Sequence, residues 1–393
     1  LRPFSIHMTR DLLLIIASLF FWGIGEGSFY VFQALYLEQW GANPVQIGAI
    51  LGALGLTMTL AQAPAGYLTD RIGPRWLMWG TWLLGTLAAW MMALAGSLEF
   101  FIVGLLAYGL TSTALAPMNS YITAVRGSWR AERALTTATA SFTLGMVIGP
   151  AIGGALANHY ELRSVYILAG CLFMVSTLLV LFTRQPPGHG SREPTRARRL
   201  LSNRSFIGLF VLVFIAMFAL YLPQPLTPNY LSDVHNLTLQ QIGWLGTFGS
   251  LGTTLLALGL GGLHGSAGFL IGQPLVGLFA LLIWRGNSFG WFAAAYFLSG
   301  GYRLVRVMAL GLARRLIHPG ETGLAYGLME TANGAAVILA PALAGVLYSQ
   351  ATDNLYTVSI LLIFISFALS LFGLPLILKK HSHLDSVAAE TTE

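Results

Sequence analysis

Long apolar runs alternate with short polar breaks along the whole chain. Twelve runs stand out, at roughly 12–37, 45–68, 76–96, 99–123, 134–157, 164–183, 206–230, 240–263, 267–284, 289–313, 323–348 and 355–378. Each is close to the ~20 residues a helix needs to cross the hydrocarbon core of a bilayer. In hydrocarbon a segment must satisfy its own backbone hydrogen bonds, so each run predicts a transmembrane helix. The expected fold is an all-α membrane protein of twelve such helices. The longest polar break, 184–205, reads "RQPPGHGSREPTRARRLLSNRS" and divides the runs six and six. The pattern therefore predicts a six-helix bundle over 1–183 and a second over 206–380. The basic linker 184–205 is expected to rest on anionic lipid headgroups at the inner face. Residues 381–393 are polar and predict a disordered cytoplasmic tail.

The two halves repeat. Gln46-Ile47-Gly48 recurs as Gln241-Ile242-Gly243, and Gly66, Leu68 and Gly73 recur as Gly261, Leu263 and Gly268. Pro150 and Gly154 recur as Pro341 and Gly345. Two pseudo-symmetric six-helix bundles are the pattern of a transporter that rocks one half against the other.

Composition narrows the class. Only 9% of the 393 residues are charged and 55% are hydrophobic, against about 25% charged in a soluble domain. The net charge of +6 does not point to nucleic acid, because the basic residues fall between the apolar runs. With the N-terminus inside, seventeen of the 21 Lys and Arg fall in inner segments. Arg163 and Arg285 fall outside, and Arg303 and Arg306 lie within the tenth run. That bias predicts a multi-pass protein of the inner (plasma) membrane with both termini cytoplasmic. A monomer is expected. The single cysteine, Cys171, excludes an internal disulfide and a cysteine metal cluster. The sequence has no H-E-x-x-H and no P-loop, so neither an enzyme nor a cofactor or metal is expected. Without an ATP site, the driving energy must come from a gradient.

The break between runs 2 and 3 reads "GYLTDRIGPR", 66–75. Gly66, Leu68, Asp70, Arg71, Gly73 and Arg75 match the pattern G-x-L-x-D-R-x-G-R-[RK], with Pro74 in place of its first basic residue after the glycine. Gly66 allows close helix approach, Gly73 a sharp reversal, and Asp70 suits a neighbouring helix N-terminus. The loop resembles the signature of the major facilitator superfamily. In that family it latches the two halves on the cytoplasmic side. The second-half copy, "GGLHGSAG", 261–268, keeps the glycines and lacks the charges. Run 5 carries "GMVIGPAIGG", 145–154, in which Gly145, Gly149, Pro150, Gly153 and Gly154 match G-x-x-x-G-P-x-x-G-G. This resembles a motif of the proton-antiporting drug exporters, and its small residues make a face for helix packing. The resemblance implies alternating access, with runs 1, 4, 7 and 10 lining a central cavity.

Four charges fall deep inside runs: Glu26, Arg303, Arg306 and Glu330. Each costs roughly 2.5–3.5 kcal/mol at a helix centre if it meets lipid, so they are expected to face protein or a wet cavity. Trp22, Glu26, Tyr30 and Gln33 share one helical face. Glu26 is either a titratable group on a ligand surface or a structural partner for a neighbouring helix. Two aromatic walls and a carboxylate suit a cationic or amphipathic compound. Arg306 and Glu330 lie at similar depth and are expected to pair. Arg303 then faces the cavity, unless both arginines lock run 10 to its neighbours. Asn119, Tyr121, Tyr221, Gln224 and Tyr302 are further cavity candidates, and Tyr326 and Asn333 flank Glu330. Burial disfavours an ionised carboxylate and a nearby guanidinium favours it, a balance that suits proton coupling. Glu26 is the first candidate for the proton site and Glu330 the second. The expected function is proton-coupled export (antiport) of small amphipathic organic molecules. Proton-linked uptake (symport) of an anionic metabolite, lipid-like anion transport and a non-transporting receptor are the competing readings.

Overall fold

The computed structural model describes residues 8–185, 203–317 and 322–390, in which the regular elements are helices and no strand occurs. Run 1 becomes α1 (Arg10–Tyr30) and α2 (Gln33–Gln39). Runs 2 and 3 become α3 (Pro44–Ile72) and α4 (Pro74–Ala93), and run 4 becomes α5 (Leu98–Gly109), a 3₁₀ turn (Leu110–Ala114) and α6 (Leu115–Val125). Runs 5 and 6 are α7 (Ala131–His159) and α8 (Arg163–Leu181). In the second half, run 7 gives α9 (Arg204–Tyr221) and α10 (Thr227–Asp233), and runs 8 and 9 give α11 (Leu239–Leu260) and α12 (Gly265–Arg285). Run 10 gives α13 (Phe289–Ser299) and α14 (Gly301–Arg314), and the last two runs are α15 (Thr322–Gln350) and α16 (Thr352–Glu390). Ten of these spans are long and apolar enough to cross a membrane. The 20-residue α4 and the broken pair α13–α14 complete the twelve.

Runs 1, 4, 7 and 10 are the four whose helix is interrupted, and each interruption has a local cause. In run 4, Thr111 and Thr113 hydroxyls donate back to the Tyr108 and Leu110 carbonyls, and Ser112 donates across to the Met58 carbonyl. Such back-bonding competes with the helical ladder. In run 7, Pro223 and Pro225 remove two backbone donors. In run 10, Gly300 and Gly301 let the chain pass close to Gly252 and Gly272 of neighbouring helices. In run 1 the Phe32 amide turns back to the Phe29 carbonyl in a tight turn. Helix starts are capped where sequence allows: Thr9 accepts from Leu12, Ser97 from Phe100, and Asn203 from Ser205 and Phe206. Gly73 holds φ at 92° between α3 and α4, with Pro74 opening α4. An L side chain rarely adopts that backbone, so the one-residue reversal requires glycine.

The chain forms two compact units that depart from the sequence halves at two places. Asn43–Gly52, at the start of α3, belongs to the second unit, and Leu231–Ser250, reaching into α11, belongs to the first. Glycine contacts explain both. In the second unit a Cβ on Gly48 would strike the Pro341 carbonyl, and one on Gly345 the Pro44 carbonyl. In the first unit a Cβ on Gly243 would meet the Pro150 carbonyl and Gly154 Cα, the latter at 2.7 Å.

The unit cores also echo one another. In the first, Ser18 and Ser176 share a 2.7 Å hydrogen bond, and the Trp82 indole donates to both at 3.0 Å. In the second, Gln273 donates to Ser370 and accepts from Ser366 at 3.0 and 2.9 Å. Trp82 lies on α4 and Gln273 on α12, the third run of each half. Each buried polar group is thereby satisfied inside apolar helices.

The linker is described only at its ends, since 186–202 lie outside the described residues. Helix α16 runs on to Glu390, so 381–390 are helical where composition predicts a disordered tail. That segment has no Gly or Pro and extends an existing helix, which avoids the cost of nucleation.

Candidate functional site

Glu26 is placed by what its neighbours on α1 pack against. Gly23 and Gly27 press on α7, where a Cβ on Gly145 would lie 2.5 Å from the Phe20 carbonyl and one on Gly149 2.5 Å from the Ile24 carbonyl. A Cβ on Gly153 would strike the Ser28 carbonyl. Gly154 faces another way, 2.8 Å from the Leu239 carbonyl by the same test. Gly25 faces Phe173 of α8. Helix α1 is thus gripped on two sides, and Glu26 lies half-buried between those contacts.

The Trp22 indole donates to Glu26 Oε2 at 3.2 Å. Its ring stacks on Phe173 at 4.1 Å and lies 5.2 Å from the Trp82 ring. Trp22 is only 8% exposed. The expectation of an aromatic cavity wall is therefore corrected: Trp22 is a core residue whose polar edge holds the carboxylate, and its faces are already covered. Tyr108 of α5 also stacks on Phe173, at 5.9 Å. Its hydroxyl is turned to the Glu26 carboxylate. Tyr108 is not distinguishable from sequence alone, because a tyrosine in an apolar run serves equally well as an interface anchor.

Tyr30 is 47% exposed and Gln33 is 5% exposed. The break at Val31–Phe32 separates them, so Gln33 leaves the face that unbroken helical spacing predicts. Its Nε2 is buried without a hydrogen-bond partner among the described residues. Tyr121 is fully buried and donates to the Arg184 carbonyl at 2.6 Å, which makes it an anchor for the end of α8 rather than a lining residue. Asn119, on α6, is exposed.

In the second unit the candidates gather on α9, α14 and α15. Tyr221 and Tyr302 have ring centroids 5.5 Å apart. The Tyr302 hydroxyl donates to Asn333 Oδ1 at 2.6 Å. Gln224 donates to the Leu220 carbonyl of its own run at 2.8 Å. Arg306 Nε donates to both Glu330 oxygens at 3.2 and 3.1 Å, with Nη2 adding a third contact at 2.5 Å. Arg303 is exposed, and it makes no hydrogen bond or ion pair among the described residues. Tyr326 is half-exposed one turn from Glu330.

The Arg306–Glu330 pair is about one-third exposed on each side, between the surface and buried limits. Arg306→Ala is expected to cost about 2 kcal/mol. Adding Glu330→Ala should recover at least half of that, since the second change removes the stranded carboxylate. Thermal unfolding of the three purified variants checks the cycle.

On either side of the Gly73 turn, Arg71 at the end of α3 donates to the Tyr67 hydroxyl at 3.0 Å, and the Arg75 guanidinium at the start of α4 stacks over Trp79 at 4.1 Å. Neither forms an ion pair among the described residues. Gly66 and Asp70 lie on α3; the surroundings of Gly66 and the side chain of Asp70 lie outside what the structure describes.

A family model described as Major Facilitator Superfamily matches residues 12–266 and 209–390. An uncharacterized MFS-type transporter of Methanocaldococcus jannaschii is 24% identical over 297 residues, 70% of this chain and 73% of the relative. The multidrug resistance protein MdtG of Serratia proteamaculans is 27% identical over 250 residues, 60% of this chain and 61% of the relative. The match thus spans about three-fifths of that protein's length. Among solved structures, the nucleoside transporter NupG superposes with a TM-score of 0.77 at 15% identity, covering 95% of this chain and 100% of that one. A bacterial homolog of the human lysosomal transporter Spinster does so with 0.70 at 15% identity, covering 97% and 96%. Similarity at that identity speaks for the fold.

Proposed function

This chain belongs to the major facilitator superfamily, and on that footing we propose that it exports small amphipathic organic molecules by alternating access, in exchange for protons. It is a multi-pass membrane transporter rather than an enzyme. The observation that carries the finer reading is the Glu26 carboxylate. It lies half-buried between two tightly packed faces of α1, beneath the Trp22 indole and opposite the Tyr108 hydroxyl. Ionisable groups so deep in a membrane helix are costly and mark ion or substrate pathways. A carboxylate there can take a proton when water reaches it from one side and give it up when water reaches it from the other. Glu330 is the secondary candidate, but Arg306 already engages both of its oxygens.

Export is supported by the glycine pattern Gly145–Gly154 and by the names of the multidrug relatives. Both termini are assigned to the cytoplasm from the distribution of Lys and Arg. The loop Gly66–Arg75 is assigned the role of cytoplasmic latch between bundles 1–183 and 206–380.

The test is purified protein in liposomes under an imposed pH gradient, screened with cationic, neutral and anionic amphiphiles. Movement of a compound opposite to the proton flow supports export. Movement in the same direction replaces it with symport. Binding without flux for every compound would mean a receptor.

A further inference from the structure

Helix α14, "GYRLVRVMALGLAR", buries Leu304, Val305, Met308, Ala309, Leu312 and Ala313 and leaves Arg303 and Val307 exposed. Two polar rungs join it to α15 inside the second unit: Arg306 to Glu330, and Tyr302 to Asn333. Each rung engages an acceptor of α15. Arg306 contacts both Glu330 oxygens, and Asn333 Oδ1 receives the Tyr302 proton. The donors are not used up. Arg303, next to Tyr302 in the chain and one turn from Arg306, presents five N–H groups with no acceptor among the described residues. Asn333 Nδ2 likewise has no acceptor among them. Arg303 lies within electrostatic reach of Arg306 and Glu330, and the three groups sum to one uncompensated positive charge.

An exposed guanidinium inside a membrane-spanning segment cannot face hydrocarbon without a heavy penalty, so the Arg303 side of α14 meets water or a ligand. What this face lacks is an acceptor engaging Arg303 and one negative charge. Resting on the transport reading above, the geometry points to a subsite on α14–α15 for the anionic group of the substrate, a carboxylate or phosphate monoanion bound by Arg303 with Asn333 Nδ2 as second donor. The planar fork of an arginine suits a two-oxygen acceptor, where a lysine would offer only a point charge. The covered faces of Trp22 remove the competing case for a cation held against that ring.

Equilibrium binding needs no gradient, so it separates this inference from the proton-coupled one. Naphthalene-2-carboxylate, naphthyl phosphate and decanoate are titrated calorimetrically into the full chain in phosphatidylcholine nanodiscs, each against its neutral amide or alcohol. The anions should bind at least ten-fold tighter than their neutral partners. Arg303→Gln should remove that preference while leaving the neutral affinities alone, and Arg303→Lys should keep part of it. Because Arg303 holds no other group, a folding defect is not expected, and the melting temperatures check this. If no anion outbinds its neutral counterpart, or if Arg303→Gln keeps the full preference, the inference is overturned. So it is if only chloride, or only phosphatidylglycerol introduced into the disc, competes at Arg303 while no organic anion binds. Arg303-dependent binding without any pH-driven flux would sink the coupling proposal and leave this one standing.

Discussion

Glu26→Gln is expected to lose gradient-driven transport by on the order of 100-fold, the lower end of what a positioned proton-transfer group contributes. The protein should stay folded. Glutamine is nearly isosteric, and its Oε1 can still accept the Trp22 N–H that now meets Glu26 Oε2 at 3.2 Å. What disappears is the ability to carry a proton. Exchange of compound for compound, with no pH gradient, should therefore survive within a few-fold. That split is the informative part. A purely structural Glu26 would be tolerated as glutamine in both assays or would fail in both through unfolding. The measurement is paired: pH-driven flux and counterflow from the same liposome preparation, with the melting temperature as a folding check. Undiminished pH-driven flux would remove Glu26 from the coupling role.

How far the residues alone reach depends on the kind of information. Twelve runs, their six-and-six division and the repeated Gly and Pro positions follow from hydropathy and turn chemistry, because lipid leaves the backbone few options. The depth argument also works for Arg306 and Glu330, since two opposite charges at one level on adjacent helices have little else to do. The interruptions in runs 1, 4, 7 and 10 are harder to read. Val31-Phe32 is as apolar as the helix around it, so periodicity continues across a break that the backbone does not. Unbroken spacing therefore places Gln33 with Glu26 and Tyr30, and the backbone does not. Trp22 shows a second limit. Spacing places it on the Glu26 face, but only the positions of Phe173 and Trp82 reveal that the face is covered there. The repeats hold a third lesson. Each copy of the Gln-Ile-Gly segment packs against the Pro-Gly pair carried by the other half: Gly48 on Pro341 and Gly243 on Pro150. Self-similarity discloses that two copies exist; their crossed pairing is a tertiary fact.

Gly149→Leu is expected to be a severely damaging change on α7, costing about 3 kcal/mol or more, the upper range for overpacking. A Cβ at Gly149 would come within 2.5 Å of the Ile24 carbonyl, 2.8 Å of the Ser28 amide and 2.9 Å of the Gly27 carbonyl carbon. All three are backbone atoms, so no rotamer change relieves the clash and α1 must move away from α7. The move also opens the contacts at Gly23, Gly27 and Gly145, which depend on the same separation. Association of membrane helices rests on such packing because lipid offers no hydrophobic drive between them. Glu26 lies between Gly25 and Gly27, so displacing α1 also carries the carboxylate, together with Trp22, away from Tyr108 on α5. Yield of monodisperse protein, melting temperature and flux should therefore fall together. Gly80→Leu on α4 is the matched control, since nothing lies within 4 Å of a Cβ there, and it should stay within about 0.5 kcal/mol of the parent. A Gly149→Leu protein with the parent's melting temperature would show that α1 and α7 do not rest backbone to backbone. If stability collapses as expected, the stripe Gly145, Gly149 and Gly153 is explained by packing against α1. Gly154, which faces α11 instead, then becomes the position at which to look for any effect of this motif on the direction of transport.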